Sequence, residues 1–224
     1  MIKKFAYGAV AAAALTFAPL AASAATVSQT VLNTHGDFIA AGVNLDASVT
    51  ALLPAGASWA GDAAATVTGS VDGQYRSPFP DVMVQPADAP ALPYFSVDAD
   101  ASPITLAFDK TQTAFSLVWG SIDSYNTLRF FLGDDEVTGF SHGGPFAANS
   151  LTGSILTPPG AAGTGASLVE ISDILFDSVV FVTDQNSFEF SNIQATPIPL
   201  PAAGFLLMGA LGGLAVIRRR RKDA

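Results

Sequence analysis

The sequence predicts an all-β fold, an antiparallel two-sheet sandwich or jelly roll, and three observations support this prediction. Apolar residues alternate with smaller or polar ones at a period of two, as Ile104, Leu106 and Phe108 do. Turn-forming residues separate these runs at short intervals. No window between residues 25 and 197 keeps the i, i+3, i+4, i+7 apolar spacing of an amphipathic helix. Many short strands joined by turns are typical of sandwiches and jelly rolls.

The clearest predicted strands lie in the middle of the chain. Residues 104–108 and 115–119 are predicted to form a hairpin, because the polar run 109–113 separates two alternating apolar runs. The later predicted strands are 125–132, 137–140 (returning from an acidic turn at 133–136), 174–182 and 187–193 (a closing pair around 183–186). Loops rich in Gly, Pro and Ala are predicted at 77–93 and 141–167. One or two edge strands are expected in residues 25–71, with Trp59 in the core.

The amino end has the three parts of a secretory signal peptide. Lys3 and Lys4 give a basic start, an uncharged Ala-rich stretch follows over residues 5–20, and Ala22 and Ala24 form an A-x-A cleavage signal. The apolar stretch has no polar face, which argues against an amphipathic helix of the domain. We therefore predict a signal peptide over residues 1–24, cut after Ala24 by signal peptidase.

The carboxyl end also has three parts: a proline-rich motif, an uncharged run and a basic cluster. The uncharged run from residue 200 to 217 is at the short end of what can span a bilayer. Four arginines and a lysine at 218–222 follow it, and such a cluster is retained on the cytoplasmic side. The predicted topology is one transmembrane helix with the domain outside and the tail inside.

This carboxyl end resembles the PEP-CTERM class of bacterial sorting signals. The proline-rich motif is similar to the VPLPA variant of that class, with isoleucine in the usual place of valine: Ile198, Pro199, Leu200, Pro201 and Ala202. The resemblance implies processing by an exosortase-type membrane transpeptidase in a Gram-negative bacterium that makes exopolysaccharide. A plain C-terminal membrane anchor is the alternative. Residues 25–197 then form the exported domain, and 198–224 the sorting signal.

Removing the two ends changes the charge of the remaining domain. Between residues 25 and 197 there are three basic residues (Arg76, Lys110 and Arg129) and eighteen acidic ones, a formal charge of −15 against −9 for the whole chain. Such a surface repels nucleic acid and anionic lipid headgroups. It fits a secreted protein, one that binds divalent cations, or one that meets neutral glycans. Cysteine is absent, so no disulfide supports the domain.

A second resemblance lies inside the domain, in the run LVWGSIDSYNTLRFF at residues 117–131. It is similar to the motif of a family of exosortase-dependent surface proteins. The runs QYRSPF at 74–79 and FEFSNI at 188–193 support the resemblance and stand in the family's order, although serine occupies position 191 where aspartate is common. The resemblance implies no enzymatic activity and no defined molecular role; it implies architecture and location only.

The W-G-S-x-D-x-Y-N stretch allows a structural and a functional interpretation. Gly120 permits a tight turn, and Asp123 and Asn126 are residues that bond their own backbone in turns, so a β-turn between aromatic residues is the favoured interpretation. The alternative is a carbohydrate-binding platform. In it Trp119 or Tyr125 stacks on a sugar ring while Asp123 and Asn126 bond its hydroxyls. The alternation of Trp119 with Phe115 and Leu117 indicates that the tryptophan faces inward.

Calcium is the one cofactor that the sequence leaves open, because hard cations bind clustered oxygen ligands in loops. The acidic loops offer three such candidate sets, of which the first and last are favoured: Asp98 and Asp100; Asp134, Asp135 and Glu136; and Asp184 with Asn186. His35 and His142 are too isolated for a zinc site, and no nucleophile motif or phosphate-binding loop occurs. The sequence therefore does not indicate an enzyme.

Together these observations predict an exported protein with a structural or adhesive role at the outer cell surface or in the exopolysaccharide matrix. Before processing, its C-terminal helix would anchor it in the inner membrane. The expected partners are signal peptidase, an exosortase-type enzyme and exopolysaccharide, with no nucleic acid. The alternative function is a carbohydrate-binding module, with or without calcium.

Overall fold

The structure is a computed structural model that describes residues 25–79, 92–120, 122–123, 125–137, 140–142, 147–148, 151–152 and 166–199. The predicted signal peptide, with Ala22 and Ala24, and everything from residue 200 onward lie outside these residues. The strands are β1 (Thr26–Leu32), β2 (Ala57–Trp59), β3 (Ala65–Val67), β4 (Tyr94–Val97), β5 (Ile104–Gly120), β6 (Thr127–Leu132), β7 (Asp135–Val137), β8 (Phe140–His142), β9 (Ala147–Ala148), β10 (Leu151–Thr152), β11 (Ala166–Ser172), β12 (Phe176–Val182) and β13 (Phe188–Pro197). No helix in this part of the chain is long and apolar enough to cross a membrane.

The strands form one hydrogen-bonded network. Its main path runs β10-β6-β12-β5-β11-β1-β8-β9, and β2, β3, β4, β7 and β13 join it as branches. Neighbouring strands are antiparallel, except that β1 meets β8 in parallel at Thr26 and Val27. The all-β prediction is therefore confirmed.

Strand β5 replaces the predicted hairpin at 104–119, which is wrong. The polar run at 109–113 continues the strand because its backbone is hydrogen-bonded to, or paired with, other segments of the chain. The Asp109 backbone N–H donates to the Gly56 carbonyl at 2.9 Å, and Gln112 is buried opposite Phe176. Partners change along the strand. The first half pairs with β2 and β12, and the second half with β11 and β13, with a register shift in the β12 ladder between them.

The two last strands exist as predicted, but the predicted closing pair is wrong. β12 pairs with β5 and β6, whereas β13 pairs with β4 and β5. By contrast, β6 and β7 do form a hairpin as predicted, but its turn is shorter: Asp135 and Glu136, predicted to lie in the turn at 133–136, belong to strand β7. Leu132 stands opposite Asp135, and Gly133 takes the positive φ of 61° that the tight turn requires.

One short helix, α1 (His35–Ala40), lies in a segment where the sequence indicated only edge strands and loops. A capping box begins it. The Thr34 hydroxyl accepts from the Asp37 amide at 3.2 Å, and the Asp37 carboxylate accepts from the Thr34 amide at 2.7 Å. These bonds lower the pKa of Asp37. Phe38 on this helix is fully buried, so the helix covers apolar surface.

The core consists of two clusters of buried apolar residues. The larger one lies among β5, β6, β11, β12 and β13 and is rich in phenylalanine, and Trp59 packs edge-on against its Phe95 and Phe181. The smaller one joins Phe38 of α1 to Phe79, Tyr94 and Val118. Consecutive residues of β5 therefore serve different clusters: Val118 the smaller, Trp119 the larger.

Candidate functional site

Trp119, the predicted sugar-stacking residue, lies inside the larger cluster. It is fully buried in β5, opposite Phe190 of β13 and Ser167 of β11. Its indole stacks on the Phe188 ring, with centroids 4.5 Å apart and planes 26° apart. The inward orientation predicted from alternation is confirmed. The full burial of the side chain argues against the predicted stacking on a sugar ring.

Gly120 lets another segment of the chain pass directly against the end of β5. A Cβ atom at this position would lie 2.4 Å from Pro78 Cβ and 2.7 Å from Pro78 Cα. Real Cβ atoms do not approach this closely, so any other residue would have to displace the backbone around Pro78. The run at 74–79 and the run at 117–131 therefore meet here, backbone against backbone.

Glu189 connects the run at 74–79 to β13. It lies opposite Gly120 in the sheet and is only 2% exposed. Its Oε1 atom accepts from the Arg76 backbone N–H at 2.7 Å and from the Ser187 hydroxyl at 2.5 Å. A buried acceptor that is left without its donors costs the free energy of its desolvation, so both hydrogen bonds stabilise this arrangement. The buried carboxylate thus holds the 74–79 segment on the sheet.

Asn126 connects the loop after β5 to the start of β13. Its backbone N–H donates to the Asp123 carbonyl at 3.2 Å, which closes the predicted turn. Its side chain is fully buried and donates from Nδ2 to the Ser187 carbonyl at 3.2 Å. A turn at residues 123–126 is present as predicted, whereas Gly120, predicted to permit the tight turn, lies in strand β5 opposite Ala166 and Glu189. The full burial of Asn126 argues against the predicted contact with a sugar hydroxyl.

These contacts bring the three runs together. The runs at 74–79, 117–131 and 188–193 are far apart in sequence, yet they meet around Gly120, Trp119 and Glu189. We call this place the three-run junction. Ring stacking and hydrogen bonds between described residues of the junction fix these distant segments of the chain against one another.

Tyr125 and Asp123 lie at the rim of the three-run junction and are half-buried. The Tyr125 hydroxyl donates toward the Asn186 carbonyl at 3.4 Å. Burial raises the pKa of Tyr125 above its ordinary value, and the hydrogen bond with Asp123 and the charges of Asp123, Glu189 and Asp184 raise it further. The hydroxyl therefore stays protonated at neutral pH and acts as a donor.

Two buried polar atoms of the junction have no hydrogen-bond partner among the described residues: the indole nitrogen of Trp119 and the Oδ1 atom of Asn126. Reversing the Asn126 amide would not help, because Nδ2 must face the Ser187 carbonyl to donate to it. The Trp119 side chain therefore stabilises the junction through its apolar surface alone, whereas Asn126 does so through Nδ2.

The two favoured candidate calcium loops lie beside each other. Asn186 Oδ1 accepts from the Ala99 N–H at 3.2 Å, and Asp98 Oδ1 accepts from the Ala101 N–H at 2.8 Å. These bonds close the loops by protein contacts alone. In the described part of the chain no three His, Asp or Glu side chains gather in one place. Calcium binding by Asp98, Asp100, Asp184 and Asn186 stays a prediction.

Sequence reasoning missed Glu189 and Pro78 as junction residues. Glu189 stands between two phenylalanines in a strand, where alternation places it on the polar face. That face is covered by the distant 74–79 segment, which local sequence does not reveal. The only indication in the sequence was the resemblance to a protein family. It grouped the runs at 74–79, 117–131 and 188–193, but it did not indicate that they are in contact.

The predicted sorting motif begins directly after the last residue of β13. Ile198 is 42% exposed, and its backbone N–H donates to the Thr111 carbonyl of β5 at 3.0 Å. Pro199 is the last described residue, and Leu200, Pro201 and Ala202 lie outside the described residues.

Comparison of the chain with known proteins found no matching family model, no matching curated protein and no matching solved structure.

Proposed function

We propose that this chain is exported by a Gram-negative bacterium and sorted by an exosortase-type enzyme to the outer surface or the exopolysaccharide matrix. There its domain has a structural or adhesive role. The observation that carries the proposal is the position of the sheet. Its strands run from Thr26 to Pro197, the interval between the predicted signal-peptide cut and the sorting motif. The processing signals at both ends therefore flank a folded unit without interrupting it.

The proposed architecture is a two-sheet sandwich. β5 supports it, because its two halves have different neighbours, as expected of a strand that passes from one sheet to the other. The phenylalanine-rich cluster would then be the layer between the sheets. A domain of this kind gives a stable particle without disulfides. Its charge of −15 (three basic against eighteen acidic residues) keeps it soluble among neutral glycans.

The carbohydrate-binding alternative draws less support from the described residues. Trp119 and Asn126 are fully enclosed, which leaves half-buried Tyr125 and Asp123 at the rim. A glycan array with the wild type and a Tyr125→Ala variant tests this alternative. If the role is structural, the array should show no glycan binding that depends on Tyr125. Glycan binding that is present in the wild type and lost in Tyr125→Ala would support the carbohydrate-binding module.

Cell fractionation tests the proposed sorting. We expect the wild type, expressed in a host with an exosortase-type enzyme, to reach the surface, where added protease degrades it. Replacing both motif prolines (Pro199→Ala with Pro201→Ala) should retain the protein in the inner membrane. One control should sort normally: Ile198→Val, which restores the usual valine. Equal location of the double variant and the wild type would contradict the proposal.

A further inference from the structure

The two halves of strand β13 differ in burial. Every residue from Phe188 to Ile193 is buried, whereas Gln194, Thr196 and Pro197 are exposed and only Ala195 is half-buried. We call residues 194–198 the terminal strap. It continues the sheet, but it adds almost nothing to the core.

The terminal strap lies along β5 through backbone and hydroxyl contacts. Ala195 stands opposite Phe115, and Thr196 opposite Ala114. The Thr113 hydroxyl donates to the Thr196 carbonyl at 3.1 Å, and the Ile198 N–H donates to the Thr111 carbonyl at 3.0 Å. Pro197 has no N–H to donate, and the ladder shifts register beside it. Segments with few buried apolar contacts and exposed hydrogen bonds open at low free energy.

The attachment leaves almost no free chain between the domain and the membrane. Among the described residues, Ile198 is the last one bonded to β5, and the predicted span begins at Leu200, so Pro199 alone separates them. The polar headgroup layer is about 5–8 Å thick on each side of the bilayer. With the strap attached, the acidic domain would sit directly on the headgroups, and the backbone of the first motif residue, Ile198, would stay bonded to β5.

Detachment of the strap removes this obstruction. Five residues of extended chain reach about 16 Å at roughly 3.3 Å per residue, which exceeds the headgroup layer. The buried half of β13 would stay in place, because its phenylalanines are packed in the core. Once detached, the strap is therefore long enough to separate the motif from the domain. It is also short enough that its detachment leaves the buried half of β13 in the core.

We propose that the terminal strap is a peelable tether: it must detach from β5 before the processing enzyme can act on the motif at 198–202. This inference rests on the proposed sorting function. It adds that the folded domain itself limits the rate of processing, through the hydrogen bonds between residues 194–198 and residues 111–116.

A disulfide staple tests the tether. Thr196 and Ala114 are direct cross-strand partners, at a separation that a disulfide spans, and the chain has no cysteine to interfere. In full-length protein exported to an oxidising compartment, the pair Thr196→Cys with Ala114→Cys should abolish tail removal, seen as retention of the full mass. Each single cysteine variant is the matched control and should be processed normally. A five-residue Gly-Ser insertion between Pro197 and Ile198 should restore processing of the stapled protein.

The outcomes separate the two proposals. If the stapled protein loses its tail as fast as the single variants, the tether is overturned and sorting stands. If the wild type and the Pro199→Ala, Pro201→Ala variant keep the same mass in the presence of the enzyme, sorting is overturned, and the tether with it.

Hydrogen exchange of the full-length protein in detergent gives a second measurement. The Ile198 amide should exchange faster than the amides of residues 115–119, and equal protection would contradict a peelable strap.

Discussion

At the scale of single residues, contacts in the three-run junction restrict which residue types can occupy certain positions. Gly120 is required because Pro78 occupies the space of a side chain, and Glu189 is required because it accepts from the Arg76 backbone. The inward orientation of Trp119 could be predicted from alternation along its own strand. The burial of Glu189 could not, because it depends on a segment more than one hundred residues away.

Replacing Gly120 tests the close approach. Gly120→Ala should lower the free energy of unfolding by about 1–3 kcal/mol, because the new methyl group meets the Pro78 backbone. Gly36→Ala is the matched control. Its methyl would have only the Thr34 hydroxyl oxygen at 3.6 Å, so this helical position should be neutral or slightly stabilised. Urea denaturation of both variants measures the difference, and equal stability of the two would contradict the described contact.

Two substitutions of Trp119 separate its volume from its polar atom. Trp119→Ala should cost about 3–5 kcal/mol of unfolding free energy because it leaves a large cavity. Trp119→Phe should cost clearly less, since the indole nitrogen has no partner to lose among the described residues and a ring still faces Phe188. Thermal denaturation followed by near-ultraviolet circular dichroism checks the order. Equal loss in both variants would mean that the indole N–H makes a bond of its own.

At the scale of strands, the sequence indicated where extended segments lie better than which segments pair. The β6–β7 hairpin was predictable because its turn residues are local. The hairpin predicted at 104–119 failed because polar residues at 109–113 indicate a turn only when nothing covers them. Here Gly56, Phe176 and Ile198 cover their backbone. Such partners come from distant parts of the chain, so no local pattern reveals them.

The β6–β7 hairpin carries a pH-dependent ion pair. Arg129 donates to Glu136 through Nε at 2.8 Å and Nη2 at 2.6 Å, and its guanidinium also lies over the Phe131 ring. The hydrogen bond and charge of Arg129 lower the pKa of Glu136. Because the folded pKa is the lower one, this stabilisation is present above the unfolded pKa of about 4.3 and is lost as pH falls through the folded value.

Glu136→Gln should therefore cost about 0.5–1 kcal/mol at pH 7, a small value because solvent screens this partly exposed pair. The difference between variant and wild type should shrink as the pH falls below about 4, where Glu136 itself becomes neutral. Urea denaturation at pH 7 and pH 3 measures it. A difference that persists unchanged at pH 3 would show that the pair contributes through packing and not through charge.

At the scale of the whole molecule, charge opposes folding. Residues 25–197 include three basic and eighteen acidic residues, and the described part of the chain contains one salt bridge, Arg129–Glu136. Like charges held on a compact surface repel each other, and dissolved salt screens that repulsion. This feature was fully predictable from sequence once the two ends had been set apart, because it depends on composition and not on contacts.

The thermal midpoint should accordingly rise when sodium chloride increases from about 0.01 M to about 0.1 M, which shortens the Debye length from about 30 Å to about 10 Å. Replacing Asp134 and Asp135 by asparagine should reduce this salt effect. A midpoint that falls with salt would mean that attractive charge pairs outweigh the repulsion.

The intact mass of the protein recovered from the surface of cells with an exosortase-type enzyme tests the central claim most directly. Export and sorting of one β domain predict a mature chain that begins at Ala25 and has lost the uncharged run and the basic residues 218–222. In cells without the enzyme, the same amino end should appear with the tail retained. A surface protein that keeps residues 1–24, or keeps its tail whether or not the enzyme is present, would contradict the account.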